Sequence, residues 1–264
     1  MPVSAGMSHF PAWPVLADYQ AILESTGKPV LTASGIPIRF IPQRPKPAQF
    51  SEKYEPRIFL TGEVQTRTAN WHDLFNALVW LSFPKSKAVI NARHYAAFQQ
   101  REEKATASAN RQAVQDAITL LDESGVIIAC ADENLAQLLK THQWKDLFWH
   151  RRDQTRAGMK FILFGHSLYE KALNPYIGIT GKGLILTVDK RFFTQSITDQ
   201  LVALDNQLAA YLSNPHTLTS TKILCAVPLL GIPGWTLDNE SENYYNNTAY
   251  FRPEKHAANT LASA

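Results

Sequence analysis

The sequence of 264 residues predicts a mixed α+β fold, in which a small mixed sheet is covered by predominant helices. Two observations lead to this class. Helical patterns outnumber short apolar runs, and the two kinds of segment alternate through the second half of the chain. A third observation, the absence of a repeat or a linker, predicts a single globular domain over residues 10–253 and a flexible tail over residues 254–264.

The first half of the chain contains helical patterns separated by a proline-rich stretch. Periodicity predicts helices over residues 13–23, 70–81 and 85–103. The prolines between residues 37 and 56 indicate an extended connector with one strand near residues 36–41. The stretch "IFLTGEVQTR" (58–67) predicts a strand or a tight turn that leads into the helix at residue 70.

The second half alternates apolar runs with helical patterns. Residues 117–122 and 126–131 are apolar runs around "ESG"; they indicate a hairpin, although the first run equally fits the end of a helix. Strands are predicted over residues 159–165 and 183–190 and within 221–235. Helices are predicted over residues 166–174 and 196–214, and one or two more over 132–156.

Composition restricts the class of protein. The chain is 45% hydrophobic and 19% charged, as is ordinary for a globular protein, and its net charge of +3 is too small to indicate nucleic-acid binding. Cys130 and Cys225 lie in apolar runs and are expected to be free thiols in a reducing compartment. The sequence shows no secretory pattern and no run of about 18 apolar residues, so we expect a cytoplasmic protein without a membrane partner.

The stretch "NWHDLFNALVWL" (70–81) places a His-Asp pair at the start of a helix that is apolar on most sides, and such a helix is buried. Asn70 is a good N-cap, and Asp73 either completes the capping arrangement or acts chemically. The positive end of the helix dipole favours neutral His72, the form that binds metal or accepts a proton. Asn76 lies one turn further along the same face, where it can orient His72.

A second candidate site follows a predicted buried strand in "FILFGHSLYE" (161–170). The strand ends at Gly165, His166 begins a helix, and Glu170 lies one turn later on the same face. Sites in α/β arrangements gather where strands end and helices begin. A His-x-x-x-Glu pair there offers two metal ligands, or a base with its orienting partner.

Three imidazoles in apolar surroundings, with acids nearby, indicate one shared pocket. The predicted catalytic residues are His72, Asp73, His166 and Glu170. The predicted ligands of a divalent metal (Zn²⁺, Mn²⁺ or Fe²⁺) are His72, His94, His166 and Glu170. Asp116, Asp122 and Glu123 fit either ligands or turn formers, and for Glu123 the turn is favoured.

Basic, amide and aromatic side chains are candidates for holding a small-molecule substrate, which is anionic if the arginines bind it. The predicted substrate-binding residues are Asn76, Arg67, Trp235 and Arg252. The cluster "WHRRDQTRAGMK" (149–160) fits either a solvated helix or an anion clamp around Arg152 and Arg156. Ser167 stands in the nucleophile position of a strand–turn–helix elbow. Tyr169 occupies the place of the required small residue, so a serine hydrolase is disfavoured.

Four long motifs identify a family resemblance. They are "RIFLTGEVQTRTANWHDLFNALVWLSFPKSKAVINARH", "DAITLLDESGVIIACAD", "FGHSLYEKALNPYIGITGKGL" and "PLLGIPGWTLDNESENYYNNTAYFRP". In this order they resemble the motifs of a proteobacterial family catalogued as domain of unknown function three thousand and twenty-five, over nearly the whole of residues 10–253. The resemblance implies a cytoplasmic, single-domain bacterial protein, and it carries over no activity and no catalytic residues.

Two functions from different classes follow from these observations. The first is a metal-dependent hydrolase that uses the His/carboxylate pocket. The alternative is a non-catalytic binding or adaptor protein, in which the same residues form a buried structural network. A bound metal that is lost when His166 is replaced would support the hydrolase and not the binding or adaptor protein.

Overall fold

The helices and strands are seen in a computed structural model that describes residues 12–25, 27–103 and 109–253. In these ranges the helices are α1 (Leu16–Ser25), α2 (Tyr54–Thr61), α3 (Trp71–Ser82), α4 (Pro84–Glu103), α5 (Ala109–Ser124), α6 (Glu133–Lys140), α7 (Arg152–Gly158), α8 (His166–Ala172) and α9 (Ile197–Ser213). The strands are β1 (Arg39–Pro42), β2 (Glu63–Thr66), β3 (Gly125–Cys130), β4 (Met159–Leu163), β5 (Thr180–Thr187) and β6 (Cys225–Pro228). The tail expected over residues 254–264 lies outside the described residues.

Two small sheets are present in the described part of the chain. The larger sheet has the order β4-β3-β5-β6, in which β3 is parallel to β5 while the β3–β4 and β5–β6 pairs are antiparallel. The smaller sheet pairs β1 with β2 in parallel. Helices predominate in the described ranges. The predicted α+β class, with small sheets covered by helices, is therefore confirmed.

Strand β3 lies inside the larger sheet, and all of its residues are buried. Val126 and Ile128 pack into one apolar core together with residues of α6. Ile127 and Ala129 pack into a second core together with residues of α9. A strand that is buried on both faces has a continuous apolar sequence, which explains the run "VIIAC".

The hairpin indicated around "ESG" is wrong, and the helix alternative is correct. Residues 117–122 form the last turns of α5, where Ala117, Ile118 and Leu121 are buried at helical spacing. The chain passes directly from helix to strand because Gly125 has no Cβ. A Cβ there would lie 2.2 Å from the carbonyl oxygen of Leu121.

The segment 58–67 also differs in part from its prediction. It contains the end of α2 and then β2, which are separated by Gly62. Gly62 has a φ of 71°, a left-handed conformation that ends helices and that glycine adopts without steric cost. The expected strand is therefore restricted to Glu63–Thr66, and a helix precedes it.

The stretch predicted as one or two helices over residues 132–156 forms α6 and α7, with a π-helical turn at Asp146–His150 between them. Helix α3 is buried on most of its surface, as its apolar sequence predicts. None of the helices in the described ranges combines the length and the apolar character needed to cross a membrane.

The topology brings four chain segments to one place. Because β1 and β2 are parallel, the loops that follow them leave from the same edge, and α3 begins after the second loop. Because β3 and β4 are antiparallel, the residues before β3 lie beside the residues after β4. Helix α3 packs against α8, so these two regions face each other.

Candidate functional site

A cleft of about 600 Å³ lies between these two regions. One side is formed by the loop over residues 43–47, by α2 and by the first turns of α3, and the other by the end of α5 and the start of α8. Its volume is within the range of small-molecule sites. The titratable residues that line it are Arg44, Lys46, Glu52, Tyr54, Glu55, Arg67, His72, Asp73, Asp122, Glu123 and His166.

Gly165 allows Glu123 and His166 to lie side by side. Its amide donates to the carbonyl oxygen of Gly125 at 2.9 Å. A Cβ at residue 165 would lie 2.4 Å from the amide nitrogens of Ser124 and Gly125, a distance that no side chain tolerates. Glycine is therefore required for the end of α5 and the start of α8 to approach this closely.

His72 reaches the same point from α3. Phe75 stacks on Tyr169 of α8 with the ring centroids 5.5 Å apart, and the Tyr169 hydroxyl donates to the carbonyl oxygen of Leu163 at 2.6 Å. These contacts hold α3 against α8. The rings of His72 and His166 consequently lie edge to face, with their centroids 4.4 Å apart.

Three ligand atoms converge where these elements meet. Nε2 of His72 lies 3.0 Å from Nε2 of His166, which lies 3.5 Å from Oε1 of Glu123. Within the part of the chain that the structure describes, this is the one group of at least three such ligand atoms that all lie within 4.8 Å of one another. Two Zn–N bonds at the tetrahedral angle separate their nitrogens by about 3.3 Å. The spacing therefore suits a single divalent ion.

Each imidazole turns its other nitrogen toward a carboxylate. Nδ1 of His72 lies 3.4 Å from Oε2 of Glu170 and 3.3 Å from the Ser167 hydroxyl. Nδ1 of His166 is buried without a hydrogen-bond partner, 3.8 Å from Oδ2 of Asp122. Metal-binding histidines donate this second N–H to a carboxylate, carbonyl or water, which sets the tautomer. Both imidazoles thus have surroundings that suit metal ligands.

Asp122 is held in its ionised form by a buried lysine. Nζ of Lys87, on α4, lies 2.6 Å from Oδ1 of Asp122, and the two side chains are 5% and 12% exposed. Burial alone raises the pKa of Asp122, but the positive charge of Lys87, assisted by His166 and His94, outweighs burial and lowers the pKa. His166 therefore faces a negative charge across its Nδ1 atom.

Glu123 is also ionised at neutral pH. Burial raises its pKa, but hydrogen bonds from His166 and Ser167 and the nearness of His72 outweigh this effect and lower the pKa to about 2. The ionised carboxylate is the form that binds a divalent cation. The third ligand position thus carries the charge that a metal requires.

The predicted metal ligands fall into two groups in the structure. His72 and His166 are in contact, while Glu170 lies behind His72 as a neighbour of Nδ1 rather than among the converging atoms. His94 is buried on α4 and lies outside the group. Glu123, for which the sequence favoured a turn over a ligand, supplies the third ligand atom. One sequence feature could have indicated Glu123: it lies just before the buried strand β3. The antiparallel neighbour of β3, strand β4, leads into His166.

Asp73 and Arg67 line the cleft and bind each other. Oδ2 of Asp73 accepts hydrogen bonds from the amide and Nε of Arg67 at 2.7 and 2.9 Å, and Oδ1 accepts one from Nη2 at 2.8 Å. The Asp73 amide donates to the side chain of Asn70, the predicted N-cap, at 3.0 Å. Burial raises the pKa of Asp73, but Arg67 outweighs it and lowers the pKa. This pairing suits an anchor of the helix start better than a general base.

The remaining predicted substrate-binding residues lie in different places. Asn76 lines the cleft and donates to the Tyr54 hydroxyl at 2.8 Å. Trp235 and Arg252 are not among the residues that line the cleft. The carbonyl oxygen of Arg252 accepts a hydrogen bond from the buried indole of Trp144 at 2.8 Å, which places this segment against the core around α6.

Within the arginine cluster over residues 149–160, Arg152 belongs to a structural network, whereas the Arg156 side chain is 49% exposed. Arg152 donates to the carbonyl and side-chain oxygens of Asn239 at 3.0 and 3.1 Å and pairs with Glu240. Its side chain is 12% exposed, and Arg156 lies 3.7 Å from the same Glu240 carboxylate. Arg152 is thus neither solvated nor open to an anion, because it joins α7 to the C-terminal segment.

Comparisons with known proteins identify a family. A family model described as a protein of unknown function, DUF3025, matches residues 38–255, which includes all three converging ligands and confirms the resemblance seen in the four motifs. No curated protein and no solved structure matches the chain. The chain therefore belongs to the DUF3025 family of proteins of unknown function.

Proposed function

We propose that this protein is a metal-dependent hydrolase whose divalent ion is bound by Nε2 of His72, Nε2 of His166 and the carboxylate of Glu123. The observation that supports it is the convergence of these three atoms while each Nδ1 faces a carboxylate. Two imidazoles and a carboxylate suit Zn²⁺, and also Mn²⁺ or Fe²⁺.

The number of ligands supports hydrolysis. Three protein ligands leave a coordination position open, as in catalytic rather than structural sites, and an ion so bound activates water at neutral pH. The three ligands meet at a cleft large enough for a small molecule. A closed site with four protein ligands would instead favour a structural metal.

The residues behind the ligands have positioning roles in this proposal. Glu170 and Asp122 each face the Nδ1 atom of an imidazole, His72 and His166 respectively. A proton held on Nδ1 leaves the lone pair on Nε2, directed at the metal position. Lys87 keeps Asp122 ionised for this role.

Elemental analysis of protein purified without chelator, and without a metal-binding tag, tests the metal centre. We expect about one metal ion per chain in the wild type and its loss in His166→Ala and in Glu123→Gln. His150→Ala is the matched control, because His150 is exposed, pairs with Asp146 at 3.9 Å and is not part of the converging group. Its metal content should equal that of the wild type.

Hydrolysis of p-nitrophenyl phosphate and p-nitrophenyl acetate, before and after chelation, tests the reaction class. We expect activity that is lost on chelation, restored by the metal and absent from His166→Ala. A wild type without metal, in which His166→Ala lowers the melting temperature alone, would favour the structural network of a binding or adaptor protein.

We also infer a cytoplasmic location. Cys130 is buried and Cys225 half-buried, and both are free thiols, as is usual in a reducing compartment. Cell fractionation tests this inference, and recovery of the protein outside the cytoplasmic fraction would overturn it.

A further inference from the structure

The loop over residues 43–47 presents two basic side chains to the mouth of the cleft. Arg44 and Lys46 both line the cleft. Pro45 and Pro47 flank Lys46, and each restricts its own φ angle, so the loop has few conformations to lose on binding a ligand. The amide of Arg44 donates to Oε1 of Gln65 at 2.7 Å, which fastens the loop to the end of β2.

The charges beside this loop are unbalanced. Glu63 is approached by three guanidinium groups, those of Arg39 at 2.7 Å, Arg57 at 2.9 Å and Arg44 at 4.0 Å. A hydrogen bond from Arg39 lowers the pKa of Glu63. Burial raises this pKa, but a hydrogen bond from Arg57 lowers it further, so Glu63 contributes one full negative charge. One carboxylate among three guanidinium groups leaves a positive surplus, to which Lys46 adds.

Two of the acids that line the cleft are each paired with a cation of the protein, Asp73 with Arg67 and Asp122 with Lys87. Glu52 accepts hydrogen bonds from the amides of Ala48 and Gln49, and Glu55 from the Asn91 side chain; these donors are neutral, so both carboxylates keep their negative charge. Glu123 belongs to the proposed metal centre. At the mouth, four basic side chains (Arg39, Arg44, Arg57 and Lys46) then face three carboxylates (Glu52, Glu55 and Glu63), which leaves a surplus of one positive charge.

We infer that Arg44 and Lys46 bind a phosphate group, so that the natural ligand of the cleft is a small organic phosphate; this inference rests on the proposed metal centre. A phosphate monoester carries up to two negative charges and three oxygens, which suits a planar guanidinium next to an ammonium group. A carboxylate has only two oxygens, both of which one guanidinium group can use, so it engages Arg44 and Lys46 together less fully. The molecule extends from the basic mouth into the cleft, toward the converging ligands.

Titration calorimetry with inorganic phosphate, at low ionic strength, tests the inference on metal-loaded protein. We compare the wild type with Arg44→Gln/Lys46→Gln, and acetate serves as the singly charged comparison anion. The matched control is Lys190→Gln/Arg191→Gln, which removes the same two charges from an exposed segment that does not line the cleft. The metal content of every sample is measured before phosphate is added.

We expect the double variant at residues 44 and 46 to retain its metal and to bind phosphate at least about tenfold more weakly, while the control binds as the wild type does. Affinity should fall as salt is added, because these side chains are exposed. Equal phosphate affinity in the metal-loaded wild type and double variant, or equal affinity for acetate, would overturn the inference and leave the metal centre standing. A wild type without metal would overturn the proposed function, and the elemental analysis alone would reveal it.

Discussion

The ammonium group of Lys87 contacts the carboxylate of Asp122 at 2.6 Å, and both side chains are buried. Replacing Lys87 with Met removes the positive charge and leaves Asp122 uncompensated in the interior. We expect the free energy of unfolding to fall by about 3–5 kcal/mol, measured by urea denaturation. Lys140→Met is the control, because its pair with Glu133 is exposed, and it should cost less than about 1 kcal/mol. Equal losses in the two variants would contradict this prediction.

Removing both charges separates stability from metal binding. In Lys87→Met/Asp122→Leu no buried charge is left unpaired, so we expect most of the lost stability to return. His166 still lacks the carboxylate across its Nδ1 atom, so the affinity for Zn²⁺ should stay about 10–100-fold below that of the wild type. Competition with a chromophoric chelator measures it. Wild-type affinity in a stable double variant would exclude a positioning role for Asp122.

Gly165→Ala should disrupt the site through the backbone. The new Cβ would lie 2.4 Å from two amide nitrogens, so the end of α5 and the start of α8 must separate. We expect a loss of about 1–3 kcal/mol in the free energy of unfolding, together with loss of bound metal. In the control, Gly158→Ala, the new Cβ meets only the flexible side chain of Leu135, at 3.3 Å. Full metal content in Gly165→Ala would show that the close approach is not required.

The pKa of Glu123 predicts how stability depends on pH. Its value of about 2 in the folded protein is below the ordinary 4.5, so folding favours the ionised form. The resulting stability is fully present above about pH 4.5 and is lost as the pH falls toward 2. Urea denaturation at several pH values measures the free energy of unfolding of the metal-free wild type and of metal-free Glu123→Gln. The difference between the two proteins should shrink on acidification, and a constant difference would refute the assignment.

Asp205 should be needed for the start of α4. Its carboxylate accepts hydrogen bonds from the amides of Lys85 and Ser86 at 3.0 and 2.8 Å and from the Ser86 hydroxyl at 2.7 Å. Asp205→Ala leaves the two amides without this acceptor, while the Ser86 hydroxyl still has the backbone carbonyl oxygen of residue 205 at 3.2 Å, so we expect a loss of about 1–3 kcal/mol. Asn206→Ala, which removes only an exposed contact with Lys85, should cost less than about 1 kcal/mol and serves as the control. Thermal and urea denaturation measure both variants.

Most of the helices and strands were predicted from the spacing of apolar residues and from runs that are apolar on all sides. The apolar run of β3 and the apolar surface of α3 indicated buried elements, because burial on all sides removes the need for polar positions. The hairpin was wrong because "ESG" is typical of a turn. In the structure Gly125 instead allows α5 to end directly at a strand, which depends on a backbone contact with Leu121 that no local pattern reveals.

The site residues that stand at helix starts were predictable from the sequence. Those whose position depends on how the strands pair were not. His72 and His166 stand at helix starts in apolar surroundings, so local sequence indicated both. Glu123 reaches His166 only through the antiparallel pairing of β3 with β4, which a single sequence does not specify. Lys87 was missed because a lysine in a helix is usually solvated, and its partner lies 35 positions away.

The three converging ligands come from opposite sides of the cleft. His72 belongs to a helix whose apolar side chains pack with β1, β2 and α2, whereas Glu123 and His166 border the sheet that contains β3. An ion bound by all three ligands would cross-link the hydrophobic core around α3 to the sheet that contains β3. Metal uptake and folding would then be one linked equilibrium, in which the supply of the ion sets the resistance of the whole chain to unfolding.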